Sequence, residues 1–431
     1  MDKLKVCMVC HFSNAKVREY LPLDNRKLYS FVRRMLGMPN KGKGYGEIAA
    51  WDTYMIEQLR KRDDINLYVI SAHSGLKRGV VSFVLEGVHY NFVRCDRATL
   101  LKRLVNSPAL WHKLNPMRPA VRKLVGQIKP DVIALIGAEN AYISGTVLGI
   151  EGYPLIVKCQ TIYNNPERKL KTGSFDEKNA YVERLIFEKL KYVSVTTKMH
   201  EPLFRAMNST AINFKWSIGN LLPKVKPLVK EFDFVIFALH VLPSKGYTDI
   251  VNAMGVVHKN QPNASLNIIG NGTLEYMNEL NELIKKHDLE SNVIFTDTFP
   301  VQGDLFQHLQ KSKFAVLPCK IDYVASTIRQ AMHYELPVVC YETEGTITLN
   351  RDKECVLIAN NGDVEDLAAK MLILLNDKEK VEQLRKNAKE YSARWSDDEK
   401  ITTQMVDNFR AVVENYRYGK PVPEELQYKL Q

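Results

Sequence analysis

Four groups of residues in this chain have types and spacings suited to chemistry. Lys245 and Gly246 follow the apolar run FDFVIFAL and stand where a helical pattern begins. A cation there opposes the helix dipole, at a cost of roughly a few tenths of a kcal/mol, unless an anion lies nearby. A diphosphate held by the lysine and by helix-terminal N–H groups fits the position, and a lysine leaning into solvent fits it equally. The run SLNIIGNG ends in Gly270 and Gly272, which let a ligand approach the backbone or simply let the chain reverse. Asp322 and Gln330 are eight residues apart, with Ser326 and Thr327 between them, so a carboxylate, two hydroxyls and an amide gather at the start of one helix. Thr327 and Gln330 also match a capping box, and local chemistry favours that cap over a ligand contact. Finally, KGKGYGEIA puts Gly44 and Gly46 before another helical pattern, as a second backbone anion cradle or a plain flexible loop.

Positioning these groups requires strands with loops at their C-terminal ends. Short Val/Ile/Leu-rich runs alternate with longer amphipathic stretches, the pattern of parallel strands joined by crossover helices. The strand candidates are KVCMVC, NLYVIS, DVIALIG, PLIVKC and YVSVTT in the first half, then FDFVIFAL, SLNIIG, NVIFTD, FAVLP, PVVCY and ECVLIA. The chain is therefore expected to be α/β, with two doubly wound Rossmann-like domains facing each other across a cleft that their loops line. The expected boundaries are 1–222 for the first domain, 223–231 for a linker carrying Pro223 and Pro227, and 232–395 for the second. Residues 396–431 are expected to begin a helix at a Ser396 cap and to cross back to brace the first domain.

Composition narrows the class. The chain has 431 residues, 45% hydrophobic and 25% charged, which excludes disorder and fibrous folds and leaves room for two domains. No apolar run spans a membrane, and the opening MDKLKVCMVCHF is too short in apolar residues for a secretory signal, so a cytoplasmic location is expected. Seven scattered cysteines form no disulfide framework. Cys7 and Cys10 form one C-x-x-C, but within a strand and without a second pair for zinc. Met1 to Leu228 carries 37 Lys+Arg against 19 Asp+Glu, and the remainder 23 against 30. A basic first half suits an anionic partner. The segments 24–44 and 98–127 mix leucine, valine and aromatic residues with cations, as in helices lying on an anionic membrane surface or, alternatively, packed on a sheet. A nucleic-acid partner is not expected, since neither base-stacking aromatics nor a groove-reading element accompanies the charge. No H-E-x-x-H, G-x-S-x-G or histidine pair at ligand spacing occurs, so no metal site is expected.

The order of the pieces resembles the donor-binding domain of the GT-B glycosyltransferases, specifically the nucleotide-sugar-dependent family 4 (glycosyl transferases group 1). The likeness covers most of Phe232 to Ser392 through LPSKG, LNIIGNG, the loop and helix after FAVLP, QAMHYELPVV, ETEGT and DVEDLAAKMLILLND. The first half resembles the family's acceptor domain more faintly, through GYGEIAAWDTYMIEQL and PLIVKCQT. The resemblance implies a GT-B fold and a retaining, metal-independent hexosyl transfer to a glycan or lipid-linked acceptor, with a nucleotide-sugar as donor substrate and no further cofactor. It places surface polysaccharide or glycoconjugate synthesis on the cytoplasmic side, with peripheral membrane contact.

The family's E-x7-E motif falls on Asp322 and Gln330, and its phosphate-binding Arg and Lys fall on His240 and Lys245, so only the lysine is retained. A family histidine beside the sugar falls on Gln160, and a glycine before the last strand's proline falls on Glu335. By this resemblance Lys245 and His240 neutralise the leaving diphosphate and Asp322 orients the sugar hydroxyls. Gln330 holds the ribose, and Gln160 meets the sugar from the other wall. The departures also suit a non-catalytic sugar-nucleotide or glycan binder, or a GT-B sugar-nucleotide epimerase.

Overall fold

A computed structural model describes residues 3–24, 47–166, 175–195, 197, 200–219, 222–321, 324–393 and 397–429. The chain divides into two compact units, Met1–Leu221 with Asp397–Gln431, and Leu222–Ser396. Apolar strands flanked by amphipathic helices can bury both sheet faces only in a three-layer arrangement, and each unit adopts it.

The strands of the first unit are β1 (Leu4–Cys10), β2 (Ile65–His73), β3 (Val80–Leu85), β4 (Val88–Arg94), β5 (Val132–Ile136), β6 (Leu155–Lys158), β7 (Tyr192–Ser194) and β8 (Ile212–Asn213). They form one sheet in the order β3-β4-β2-β1-β5-β6-β7-β8, parallel except for β3, which runs antiparallel to β4. The order reverses between β1 and β5, so the sheet's crevice lies outside the C-terminal ends of those strands. Strand alternation sends Val6, Met8 and Cys10 into the core on one face and Cys7 and Val9 into the core on the other. Cys7 and Cys10 therefore point away from each other, and burial pushes the Cys7 thiol up to about 12, which is poor chemistry for a redox pair.

The helix Asp398–Tyr418 lies on the Cys10 face, burying Ile401, Met405, Phe409 and Val412. Its N-cap is Asp397, whose side chain accepts from the Lys400 N–H; Ser396, expected as the cap, lies outside the described residues. Asp398 then accepts from Tyr54 Oη at 2.8 Å and from Gln58 Nε2 at 3.0 Å, tying the helix start to the helix Ala50–Leu59.

The second unit contains β9 (Phe232–His240), β10 (Leu266–Asn271), β11 (Val293–Thr296), β12 (Ser312–Leu317), β13 (Val338–Tyr341) and β14 (Leu357–Ala359). They form one parallel sheet in the order β11-β10-β9-β12-β13-β14, which is the dinucleotide-fold order with its switch point between β9 and β12. Residues 222–231 run without regular structure along this unit. Lys226 exchanges bonds of 3.0 and 2.7 Å with the Gln307 side chain, and the Pro223 carbonyl accepts from Tyr334 Oη at 2.9 Å.

Candidate functional site

At the switch point of the second sheet, two loops leave the C-terminal ends of β9 and β12 and meet. The first is Val241–Gly246, with a 3₁₀ turn at Pro243–Lys245. Gly246 adopts φ +79°, and a Cβ there would collide with the Pro318 carbonyl oxygen of the second loop. Glycine is thus required by the close approach of the two backbones. The contact is sealed by the Lys320 N–H donating to the Ser244 carbonyl at 3.0 Å, while Lys245 Nζ lies 3.7 Å from Cys319 Sγ.

Helix Tyr247–Asn260 starts directly at this junction with Gly246 as its N-cap and no side-chain cap. Its first-turn acid, Asp249, is turned into the protein, where it accepts from Lys320 Nζ at 2.9 Å and from Tyr341 Oη at 2.8 Å. Burial first, and Asp249 second, push the Tyr341 phenol well above its ordinary range, so it remains the donor. One carboxylate is thus shared by two donors, leaving the uncapped helix terminus with Lys245 beside it as a positively polarised edge.

The second loop leads to Asp322, which lies outside the described residues, and then to helix Ser326–His333. The capping box expected at Thr327 and Gln330 does not form. The N-cap is Ala325, which has no side-chain oxygen, and Thr327 sits one position inside the helix. The helix begins earlier than expected because Ala325 takes the extended cap conformation and Ile328 already bonds back to its carbonyl. Ser326 is exposed and Thr327 half-buried at the terminus, whereas Gln330 is 5% exposed. Two helices with N-termini lacking side-chain caps therefore flank the switch point, one after each of its strands.

The remaining expected residues are more dispersed. His240 ends β9 and is exposed, paired in register with Asn271 across β10. Gly270 has φ +144°, and a Cβ there would lie 2.5 Å from the Ala238 carbonyl, at a shift in the β9–β10 register. Its requirement is therefore met inside the sheet. Gly272, two residues on, is not in the left-handed region and has Met277 and Val241 as close neighbours. Gly44 and Gly46 lie outside the described residues, as does most of the basic segment 24–44. Gln160 is half-buried just past the end of β6 in the first unit.

Sequence reasoning missed buried charged groups near the end of β6. Lys158, at the end of β6, is 5% exposed and donates to the Trp216 carbonyl at 2.6 Å and to Ser194 Oγ at 3.3 Å. Burial draws its ammonium down to about 8. Glu183, fully buried on helix Glu177–Lys189, accepts from the Tyr163 and Asn164 N–H groups at 2.7 Å each and from Asn164 Nδ2 at 2.9 Å. Burial pushes its carboxyl up to about 7 against those donors. Near the first switch point, burial and the charge of Glu139 raise Asp52 well above the carboxylate range. Lys158 and Asp52 lie within stretches quoted for the resemblance, but no motif singles out these residues; the fold alone buries them. Among the described residues, no group of three or more His, Cys, Asp or Glu could hold a metal ion.

Residues 221–391, which make up almost all of the second unit, match the family described as Glycosyl transferases group 1. An uncharacterized glycosyltransferase of Haemophilus influenzae is 24% identical over 251 residues, covering 56% of this chain and 64% of the relative, so the match leaves more than a third of that protein unaligned. Among solved structures, sucrose-phosphate synthase from Thermosynechococcus elongatus superposes with a TM-score of 0.67 at 15% identity, covering 95% of this chain and 98% of its own. Anabaena HepE in complex with UDP and glucose superposes at 0.63 and 14% identity, covering 95% and 100%. The architecture is that of the GT-B fold, two doubly wound α/β domains. The chain thus has the GT-B fold, and its second unit matches the glycosyl transferases group 1 family.

Proposed function

We propose that this protein moves a sugar from a nucleotide-sugar donor to a glycan or lipid-linked acceptor, with retention at the anomeric carbon and without a bound metal. The observation that carries this reading is the β9/β12 switch point. It offers two helix N-termini without side-chain caps, and Lys245 reaches from one toward the loop that leads to the other. A nucleoside diphosphate satisfies all three features at once. UDP in the structure of HepE supports trying uridine donors first, although that likeness is one of fold.

In this reading Lys245, His240 and the N–H groups and hydroxyls of Ser326 and Thr327 meet the diphosphate. Gln330 faces the ribose and Asp322 the sugar, and the Gly270–Gly272 turn lies along the nucleotide. As the bond from the anomeric carbon to the diphosphate oxygen breaks, negative charge grows where these fixed dipoles already point. The acceptor oxygen forms its bond on the same face and passes its proton to the departing diphosphate. The setting is surface polysaccharide or glycoconjugate synthesis on the cytoplasmic side of a membrane.

Calorimetry with UDP-, GDP- and ADP-sugars, repeated on Lys245→Ala and Gln330→Ala, tests the site. One donor should bind and both changes should weaken it; transfer should persist with EDTA, and NMR should find the donor's anomeric configuration in the product. No binding across the panel would sink the proposal. A second reading, a non-catalytic sugar-nucleotide binder, is favoured by the neutral, buried Gln330 where the family places an acid. Tight donor binding with neither transfer nor hydrolysis would select it, and conversion of the donor to a second sugar would select an epimerase.

A further inference from the structure

The first sheet ends at β3, which is paired on one side alone, with β4. The two-residue turn Glu86-Gly87 makes Leu85 and Val88 a hydrogen-bonded pair, and such pairs alternate along an antiparallel ladder. The Arg94 N–H donating to the Gly79 carbonyl at 2.8 Å falls on the same alternation. Gly79, Val81, Phe83 and Leu85 therefore bond inward to β4, and Val80, Ser82 and Val84 direct their main-chain N–H and C=O groups to the open edge. Among the described residues, no hydrogen bond reaches those outward groups.

Exposed sheet edges are usually blunted by shortness, charge, proline, a bulge or a covering segment. The other edge of this sheet, β8, has two residues and is covered, with the Tyr428 N–H donating to the Asn213 carbonyl at 2.7 Å. In the second sheet the edge strands β11 and β14 have four and three residues. In contrast, β3 has six, VVSFVL, with no charge, no proline and an unbroken register. Its Val84 is 58% exposed, and Tyr20, stacked on Phe83 at 5.2 Å, is 51% exposed. Such an edge is a template for another strand.

The ends of the strand select that partner. Arg78, before β3, is exposed, and Glu86, after it, keeps 40% of its side chain exposed while pairing with Lys16 at 2.5 Å. An antiparallel copy of β3 centred on Ser82 sets Arg78 opposite Glu86 at both ends. The same register puts Val80 opposite Val84 and Ser82 opposite Ser82, so all the outward groups meet as bonded pairs. Between them Val81 faces Phe83, on the side where both already pack against the core. A slide of two residues either way loses one of the three bonded pairs and leaves Arg78 against Val84 or Glu86 against Val80. Charge match and backbone match thus pick the same register, and a second copy of the chain supplies both.

We propose that two copies of this chain pair β3 with β3, antiparallel about a two-fold axis at Ser82, and so join their first-unit sheets into one continuous sheet. Val80, Ser82 and Val84 exchange main-chain hydrogen bonds across the seam, and Arg78 of each copy meets Glu86 of the other. The axis runs normal to the sheet, so the parallel strands of the two copies run in opposite directions and their C-terminal loop edges open to opposite sides. The surface goes beyond donor binding and does not rest on the transfer reading.

The test is sedimentation equilibrium of the full chain over a micromolar concentration series, without donor or acceptor, and the wild type should reach the mass of two chains. Ser82→Pro removes an outward N–H while leaving the bonds to β4 in place, and should weaken self-association on the order of a hundredfold. Arg78→Glu should weaken it about tenfold, and less as salt rises. Under a mild oxidant Ser82→Cys should join the copies by a disulfide, since the facing Cα atoms lie about 5.5 Å apart. Val84→Cys, opposite Val80, should not, and the seven native cysteines are buried. Circular dichroism and the thermal transition check folding, and Val84→Lys, expected to weaken pairing similarly, replaces Ser82→Pro if that variant does not fold. A monomer throughout the series overturns the proposal, as does a dimer indifferent to the edge substitution or equal cross-linking by the two cysteines. Slow hydrogen exchange at Val80, Ser82 and Val84 in a monomer would assign the edge to another segment of the same chain. Donor titration on the same preparation reports the transfer reading separately.

Discussion

Replacing Lys158 with methionine removes a charge from the interior of the first unit and leaves a chain of similar length. In the fold the ammonium titrates at about 8 instead of 10.5, so holding it charged costs about 3 kcal/mol. Below pH 8 both folded and unfolded chains carry the proton, and the cost is present in full. Between pH 8 and 10.5 the folded lysine is neutral while the unfolded one still binds its proton, so stability rises with pH. Methionine abolishes that rise. It also strips the Trp216 carbonyl of its donor, a loss of about 1–3 kcal/mol that roughly offsets the relief from desolvation at neutral pH. The pH dependence is therefore the diagnostic quantity. Urea unfolding can be followed by tryptophan fluorescence, because Trp51, Trp111 and Trp216 all lie in the first unit. From pH 7 to 10 the wild type should gain about 2–3 kcal/mol relative to the variant. Other titrating groups cancel in the difference. Parallel stability profiles would refute the reasoning.

Three further outcomes are expected. Glu335 holds φ +58° at the end of helix Ser326–His333, and its pairing with Lys389 is solvent-exposed, so Glu335→Gly should stabilise the second unit by about 0.5–1 kcal/mol in urea melts; a lower midpoint would show that the ion pair outweighs the strain. Gly246→Ala combines a left-handed backbone with a collision at Pro318, and should cost the second unit about 2 kcal/mol or more and weaken donor binding; wild-type stability would mean that the two loops can separate freely. Glu183, raised to about 7 from 4.5, contributes stability that is complete below pH 4.5 and lost as pH rises through 7. Glu183→Gln should flatten the profile between those values, and hydrogen exchange of the Tyr163 and Asn164 amides should report the same change locally.

Much of the architecture was readable from hydrophobic pattern. All eleven strand candidates occur, because a strand buried on both faces must be nearly continuous in Val, Ile and Leu. The strands missed are β3, β4 and β8. In β3 and β4 exposed and half-buried positions interrupt the apolar run, and the turn between them is Glu86-Gly87, both with positive φ. That two-residue turn was a usable hairpin signal, weakened by a glutamate where Asn or Asp is usual. The capping box failed for a different reason: a cap is defined by the backbone of the residue before the helix, and neighbouring loops moved that position to Ala325. Glu335 was noted only as a departure from glycine, yet the fold still demands the left-handed conformation there.

The sequence by itself determined the element types, the parallel α/β class and the order of motifs in the second unit, because side-chain period and turn chemistry are local properties. What only the tertiary structure decided was adjacency. It set the Ser244 carbonyl against the Lys320 N–H, gave Asp249 two donors from distant segments, turned Cys7 and Cys10 to opposite faces, and buried Lys158 and Glu183 beneath the loop that carries Gln160. Those pairings follow from strand order and burial, which cost the ionised groups their hydration and shift their titration. No spacing along the chain encodes them.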